Sequence, residues 1–254
     1  MRFATSFFAF ALLSATALPS AAIAQNFSVD FTNCTEFAGE GPVSLAAAKP
    51  LVPHGFTVAE AAGQANIVIR ATSCGSVVVN GNFAQPTILS QIGINIVSPD
   101  GTGTINNYTL VYLSNNLDLV AHFLLAGLPA QYDPQLAYQY SGTNTTAGNL
   151  YVAAGSPAVA PYFIYGPETA PAPNSATVFL ANWWYAPNTI FGTARMRQQT
   201  LFPSISFGGS SVVFHTDNTS TLGKLVGGNA YGAFTALALR GVYPTAHMEV
   251  TVSR

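Results

Sequence analysis

Six arginines and two lysines are the only permanent cations in 254 residues, and three of the arginines fall in runs that read as strands. Arg70 lies inside the apolar run Ile67 to Thr72, on the face it shares with Val68 and Thr72. A guanidinium held there needs an anionic or carbonyl partner, so Arg70 is a candidate pocket cation. Arg195 and Arg197 share a face with Thr193 and Gln199; they bind a ligand if that face turns into a cavity and are solvated if it turns outward. Trp183-Trp184-Tyr185 places adjacent rings on opposite faces of one strand. One tryptophan is then core, the other lines a cavity or a surface platform, and Trp183 is carried as the candidate. Glu168, in Tyr165-Gly166-Pro167-Glu168, is read in a loop between apolar strands that closes over a pocket.

Other chemistries find little support. No Gly-x-Ser-x-Gly elbow occurs, and Phe207-Gly208-Gly209-Ser210-Ser211 reads as a hairpin turn ahead of a strand. The four histidines, His54, His122, His215 and His247, form no compact ligand motif, so no metal is expected. His122 follows Asp118 by four residues, the spacing of a solvated helical pair. The ten acids are scattered singly, and no phosphate-binding glycine loop is present. No catalytic residue is assigned and no cofactor is expected.

Charged residues make up 7% of the chain and hydrophobic ones 49%, against a usual charged share of about a quarter. With a net charge of −2 and no basic stripe, nucleic acid is excluded as a partner. The N-terminus carries Arg2, an apolar run from Phe7 to Leu13 and Ala22-Ile23-Ala24, which reads as a signal peptide over residues 1–24. Residues 25–254 are expected to form a single β-rich domain, secreted or periplasmic, with no membrane span. In an oxidising compartment the only two cysteines, Cys34 and Cys74, are expected to pair. Sequons begin at Asn26, Asn33, Asn107, Asn144 and Asn218; host and glycosylation stay open, as does oligomeric state.

Positioning these residues falls mainly to strands. Alternation is clearest in Ile88 to Val97, where Ile88, Ser90, Ile92, Ile94 and Ile96 share one face and Leu89, Gln91, Gly93, Asn95 and Val97 the other, more polar one. Similar runs are Ile67 to Thr72, Val77 to Asn80, Tyr108 to Leu113, Leu150 to Ala153, Tyr162 to Tyr165, Thr177 to Tyr185, Thr193 to Thr200, Val212 to Thr216 and His247 to Ser253. The fold class is mainly β (α+β): a large antiparallel sheet curled into a barrel or cone, with two or three short helices. One helix is expected over Leu117 to Leu125, capped by Asn115 or Asn116, with Leu117, Val120, Ala121 and Leu124 on one face. Shorter ones are expected over Val43 to Lys49 and from Ser220 to Gly227-Gly228.

The order of these elements, with Pro50-Leu51-Val52-Pro53-His54-Gly55-Phe56 before the strand Ala65 to Ala71, resembles acetoacetate decarboxylase-like proteins. Tyr108-Thr109-Leu110-Val111-Tyr112 followed by Asn115 to Gly127 continues the likeness, which spans most of residues 40–254. The resemblance implies a barrel or cone enclosing a pocket, and a buried lysine that forms a Schiff base with a β-keto acid. Here the chain departs from the family. Its two lysines are Lys49 and Lys224, and the segment where the catalytic lysine is expected reads Gly127-Leu128-Pro129-Ala130-Gln131-Tyr132-Asp133-Pro134. The expectation is therefore an exported barrel that binds a small, largely apolar ligand, an oxo or carboxylate compound, without imine chemistry. The alternatives are an enzyme acting on a carbonyl substrate by general acid/base catalysis and a structural or surface-interaction protein.

Overall fold

The computed structural model describes residues 25–155, 161–189, 192–228, 230–231, 234 and 236–253; the signal peptide expected over 1–24 lies outside them. Eleven strands of four or more residues carry the fold: β1 Phe27–Ser44, β2 Gln64–Val79, β3 Gln85–Asn95, β4 Ile105–Ser114, β5 Ala137–Tyr140, β6 Gly148–Ala154, β7 Tyr162–Glu168, β8 Thr177–Tyr185, β9 Arg195–Gly209, β10 Val213–Thr216 and β11 Leu237–Ser253. The helices are α1 Leu45–Ala48, α2 Leu117–Leu125 and α3 Thr221–Val226. Val43, expected in a helix, lies in β1 instead, next to its last residue Ser44.

Seven strands close on themselves in the order β1–β11–β9–β8–β4–β3–β2 and back to β1. Every pairing is antiparallel except β8 with β4, where Ala181 lies beside Ile105 and Trp184 beside Tyr108, so the barrel is mixed rather than purely antiparallel. A barrel of this strand number is close to the size that side chains fill or that leaves room for one small ligand. A second sheet, in the order Ala230–Tyr231, β10, β7, β6, β5, is laid on the outside.

Two apolar clusters follow from this arrangement. One fills the barrel and takes residues from all seven strands, among them Val29, Val77, Leu89, Tyr112, Ala181, Phe202 and Met248. The other lies between the outer faces of β1 to β4 and the second sheet, joining Phe37, Ile69 and Ile92 to Val152, Ile164 and Phe214. β2 and β3 are thus covered on both faces. Leu89 and Gln91, on the polar side of Ile88 to Val97, consequently face the barrel interior, each 1% exposed, whereas Val97, beyond the end of β3, is 55% exposed.

Near one end of the barrel, β1 and β2 change phase together. Asn33 adopts a left-handed φ of 54°, and the buried set moves from Phe27, Val29 and Phe31 to Cys34 and Glu36. On β2 it moves from Val79 and Val77 to Cys74 and Thr72. Such a bulge re-aims side chains. Because both strands shift at one level, the pairs Thr32 with Ser76 and Cys34 with Cys74 stay in register. Cys34 and Cys74 are disulfide-bonded across this seam.

α2 closes the same end. The Asn116 side chain accepts a hydrogen bond from the Leu119 amide at 3.1 Å, and the chain turns away at Gly127, φ 92°. Its buried residues are Leu119, Val120 and Phe123; Leu117 and Leu124, expected inward, are exposed. This helix is apolar nearly all round, so its own pattern does not select a face. Packing selects it: Phe123 sits 4.3 Å from Tyr112 and 5.0 Å from Phe27, between ring centroids. Among the described residues no helix is long and apolar enough to cross a membrane.

Candidate functional site

At the opposite end from α2, the barrel holds a cavity of about 170 Å³. Phe179, Phe202, Phe207 and Trp183 form much of its wall, with aliphatic residues of β1, β2, β4, β8, β9 and β11 completing it. Two charged side chains reach this apolar space, Arg70 from β2 and Glu36 from β1. The register explains their proximity: Ala38 is opposite Arg70 and Glu36 opposite Thr72, so the two charges occupy adjacent rungs of one inward face.

Their surroundings differ. Glu36 Oε2 accepts hydrogen bonds from Thr72 Oγ1 at 2.7 Å and from the Tyr243 hydroxyl at 3.4 Å. Burial, with the Glu36 carboxylate beside it, pushes the Tyr243 hydroxyl well above its ordinary pKa, so it stays a donor. Arg70 is 5% exposed, and its Nε has no hydrogen-bond partner. Among the described residues no carboxylate forms an ion pair with it; its guanidinium carbon stands 5.8 Å from the centre of the Trp183 ring. That ring lies over Gly93, where a Cβ would come within 2.8 Å of it and overlap the Tyr108 carbonyl oxygen.

Deeper in the barrel the inward positions turn polar. Gln91 is opposite both Arg70 and Tyr112, while Trp183 lies between Asn107 and Gln198. Gln91 Nε2 donates to Thr109 Oγ1 at 2.9 Å and to Gln198 Oε1 at 3.3 Å, joining these rungs. Several atoms of this belt remain unpaired: Gln91 Oε1, both side-chain polar atoms of Asn107, the Tyr112 hydroxyl, Trp183 Nε1, Gln198 Nε2 and Thr200 Oγ1. Asn107 is 0% exposed, so its sequon cannot be glycosylated in the folded chain.

The remaining sequence candidates lie elsewhere. Trp184 faces outward and donates from Nε1 to Asn106 Oδ1 at 2.9 Å. Arg195 is exposed, donates to the Gly55 carbonyl at 3.3 Å and stacks on Phe56. Arg197 pairs with Asp100 at 2.7 Å on the surface. Glu168 ends β7 rather than lying in a loop, and is buried between barrel and second sheet. There it accepts from Ser210 Oγ at 3.2 Å and stands 3.9 Å from Arg240 Nε. Burial pushes its carboxyl up to about 7, against the pull of Ser210 and Arg240. Of the five candidates, then, the cavity unites Arg70 and Trp183.

No histidine lines this cavity. His122 pairs with Asp118 as its spacing suggests, at 3.2 Å, and His247 bridges Asp30 and Glu249 at 2.6 Å each. Among the described residues no group of three His, Cys, Asp or Glu side chains is placed to hold a metal. Lys49 and Lys224 are both exposed. Glu36, Asn107, Gln198 and Thr200 were missing from the sequence candidates. Gln91 had been placed on the polar side of its strand, a signal that becomes meaningful only once that side is enclosed.

No protein-family model and no curated protein sequence matches the chain. Among solved structures it is similar to an acetoacetate decarboxylase from Legionella pneumophila, at 9% identity over 98% of this chain and 97% of that one, with a TM-score of 0.55. An acetoacetate decarboxylase-like enzyme from Sphingomonas wittichii RW1 matches at 9% identity, over 96% of this chain and 99% of that one, TM-score 0.55. The enduracididine biosynthesis enzyme MppR, solved in complex with pyruvate, matches at 10% identity, 93% and 90% coverage and TM-score 0.55. The chain has the acetoacetate decarboxylase-like fold.

Proposed function

We propose that residues 25–254 form a single exported domain that binds a small carboxylate in the barrel, without covalent chemistry. The observation that carries this reading is Arg70, a buried guanidinium at the wall of an apolar cavity that forms no ion pair among the described residues, Glu36 on the adjacent rung included. Taking a charge out of water costs several kcal/mol unless an opposite charge and hydrogen bonds compensate. A ligand carboxylate supplies both, and the Trp183 face adds a cation–π contact on the other side of the guanidinium. Size narrows the class further. An apolar cavity of about 150 Å³ holds one benzene, so a space of about 170 Å³ suits a carboxylate with one ring or a short branched tail. The pyruvate complex of MppR is a parallel for an anionic ligand in this fold. Neither lysine lines the cavity, which supports binding without an imine.

The test is calorimetric titration with small aromatic carboxylates and their neutral amide counterparts. The carboxylates are expected to bind and the amides to bind at least about tenfold more weakly, with Arg70→Met removing the difference. Equal affinity for acids and amides in the wild type would refute the reading.

A second reading is favoured by Glu36, a carboxylate facing the same cavity. It makes the barrel a site of general acid–base chemistry on a carbonyl compound, with Glu36 moving a proton and Arg70 holding the oxyanion. Under this reading the protein catalyses exchange of α-protons of an oxo acid for deuterium in heavy water, and Glu36→Gln abolishes it. Exchange no faster than in buffer leaves the binding reading alone.

A further inference from the structure

The barrel interior offers more hydrogen-bonding capacity than its own residues use. Unpaired polar atoms of Arg70, Gln91, Asn107, Tyr112, Trp183, Gln198 and Thr200 all belong to inward positions of neighbouring strands. Buried polar groups are normally paired, because one left without a partner loses its hydration with nothing in exchange. The chemistry of these groups is selective. Arg70 Nε and Trp183 Nε1 are donors only, whereas the Tyr112 and Thr200 hydroxyls serve in either role. Asn107 leaves both its amide nitrogen and its amide oxygen unpaired, so one acceptor faces the interior whichever way the amide is turned. An ionised carboxylate has acceptors alone, and an oxo group beside it only adds another. Such a ligand answers Arg70 and Trp183 but leaves the Asn107 oxygen without a donor.

We infer that the barrel contains a subsite for a hydroxylated carboxylate. Arg70 and Trp183 hold the carboxylate, while Asn107, beside Trp183 in the sheet, takes the hydroxyl as both donor and acceptor, with Thr200 on the neighbouring strand. This rests on the carboxylate-binding reading and adds the substituent that the ligand must carry. Isothermal titration calorimetry of the full chain with phenylacetate, phenylglyoxylate and each enantiomer of mandelate tests it, since the three compounds share ring and carboxylate and differ in hydrogen, oxo or hydroxyl. One mandelate enantiomer is expected to bind about tenfold or more tighter than the other two acids, because a site built to bind a hydroxyl rejects analogues lacking it. Asn107→Leu is expected to bring the three within about twofold of one another without weakening phenylacetate. Thr200→Val, which removes a hydroxyl at nearly constant volume, is expected to reduce the preference in part, and serves if the first variant does not fold. Equal affinities in the wild type, or phenylglyoxylate as the tightest ligand, would overturn the hydroxyl subsite while leaving Arg70 as the anion site. If none of the three acids binds the wild type, both readings fall.

Discussion

Arg70 and Arg240 are both buried, yet they solve the burial of charge differently. Arg240 has a carboxylate, Glu168, 3.9 Å from Nε, lies 3.9 Å over the Tyr140 ring and donates to the Thr143 carbonyl at 3.1 Å. The carboxylate, ring and carbonyl make it a strut between barrel and second sheet, although its Nε and Nη1 have no hydrogen-bond partner among the described residues. Arg70 has a ring on one face and a cavity beside it. The Glu168 pair has a measurable consequence for stability. Its folded-state pKa of about 7 lies above the ordinary value of 4.5, so between these values the folded protein holds a proton that the unfolded chain releases. Stability from this group is therefore full below about pH 4.5 and is lost as pH rises through about 7. The expected loss is of order 1–3 kcal/mol. His247, whose pKa the carboxylates of Asp30 and Glu249 raise, also loses stabilising charge as pH rises, so the comparison must be differential. Urea denaturation across pH 4.5–8 is expected to show wild type losing more stability than Glu168→Gln over that interval. Parallel curves would refute the raised pKa.

At the scale of elements, what could be read depended on whether one period or two governed a segment. α2 was legible because Asn116 and Gly127 punctuate it at both ends, while its inward face was not, because leucines on both sides left the choice to tertiary contacts. β3 alternates cleanly and its existence followed from the pattern. Its polar side was ambiguous, since alternation cannot distinguish water from a hydrogen-bonded barrel interior; Gln91, Gln198 and Thr109 show that interior to be polar. β1 was missed altogether. The phase change at Asn33 breaks its 18 residues into two half-patterns of opposite parity, so no single alternation runs through it, and Glu36 was hidden with it. Arg70 and Trp183, by contrast, stood out from their apolar or aromatic neighbours in the linear sequence, and they are the two candidates that meet at the cavity.

For the whole molecule, closure is the costly step, because β1 must find both β2 and the last strand of the chain, with Phe27 opposite Val250. Contacts of such sequence separation have to overcome loop-closure entropy. The Cys34–Cys74 bond, 40 residues apart in sequence, removes part of that cost by tying one of these seams in the unfolded chain. On a chain-entropy account a loop of this length contributes about 4 kcal/mol. Replacing both cysteines by alanine should therefore lower the denaturant midpoint by an amount equivalent to about 2–5 kcal/mol. Position adds a second expectation. The disulfide is one rung from Glu36 and Thr72 and two from Ala38 and Arg70 on the same inward face, so loosening the seam also loosens the wall that holds the arginine. The double variant should then bind small carboxylates more weakly even under conditions where circular dichroism shows it folded. Unchanged affinity in a destabilised variant would confine the disulfide to stability and uncouple the seam from the site. Loss of both together would make the β1–β2 seam the element through which barrel closure sets the geometry of the cavity.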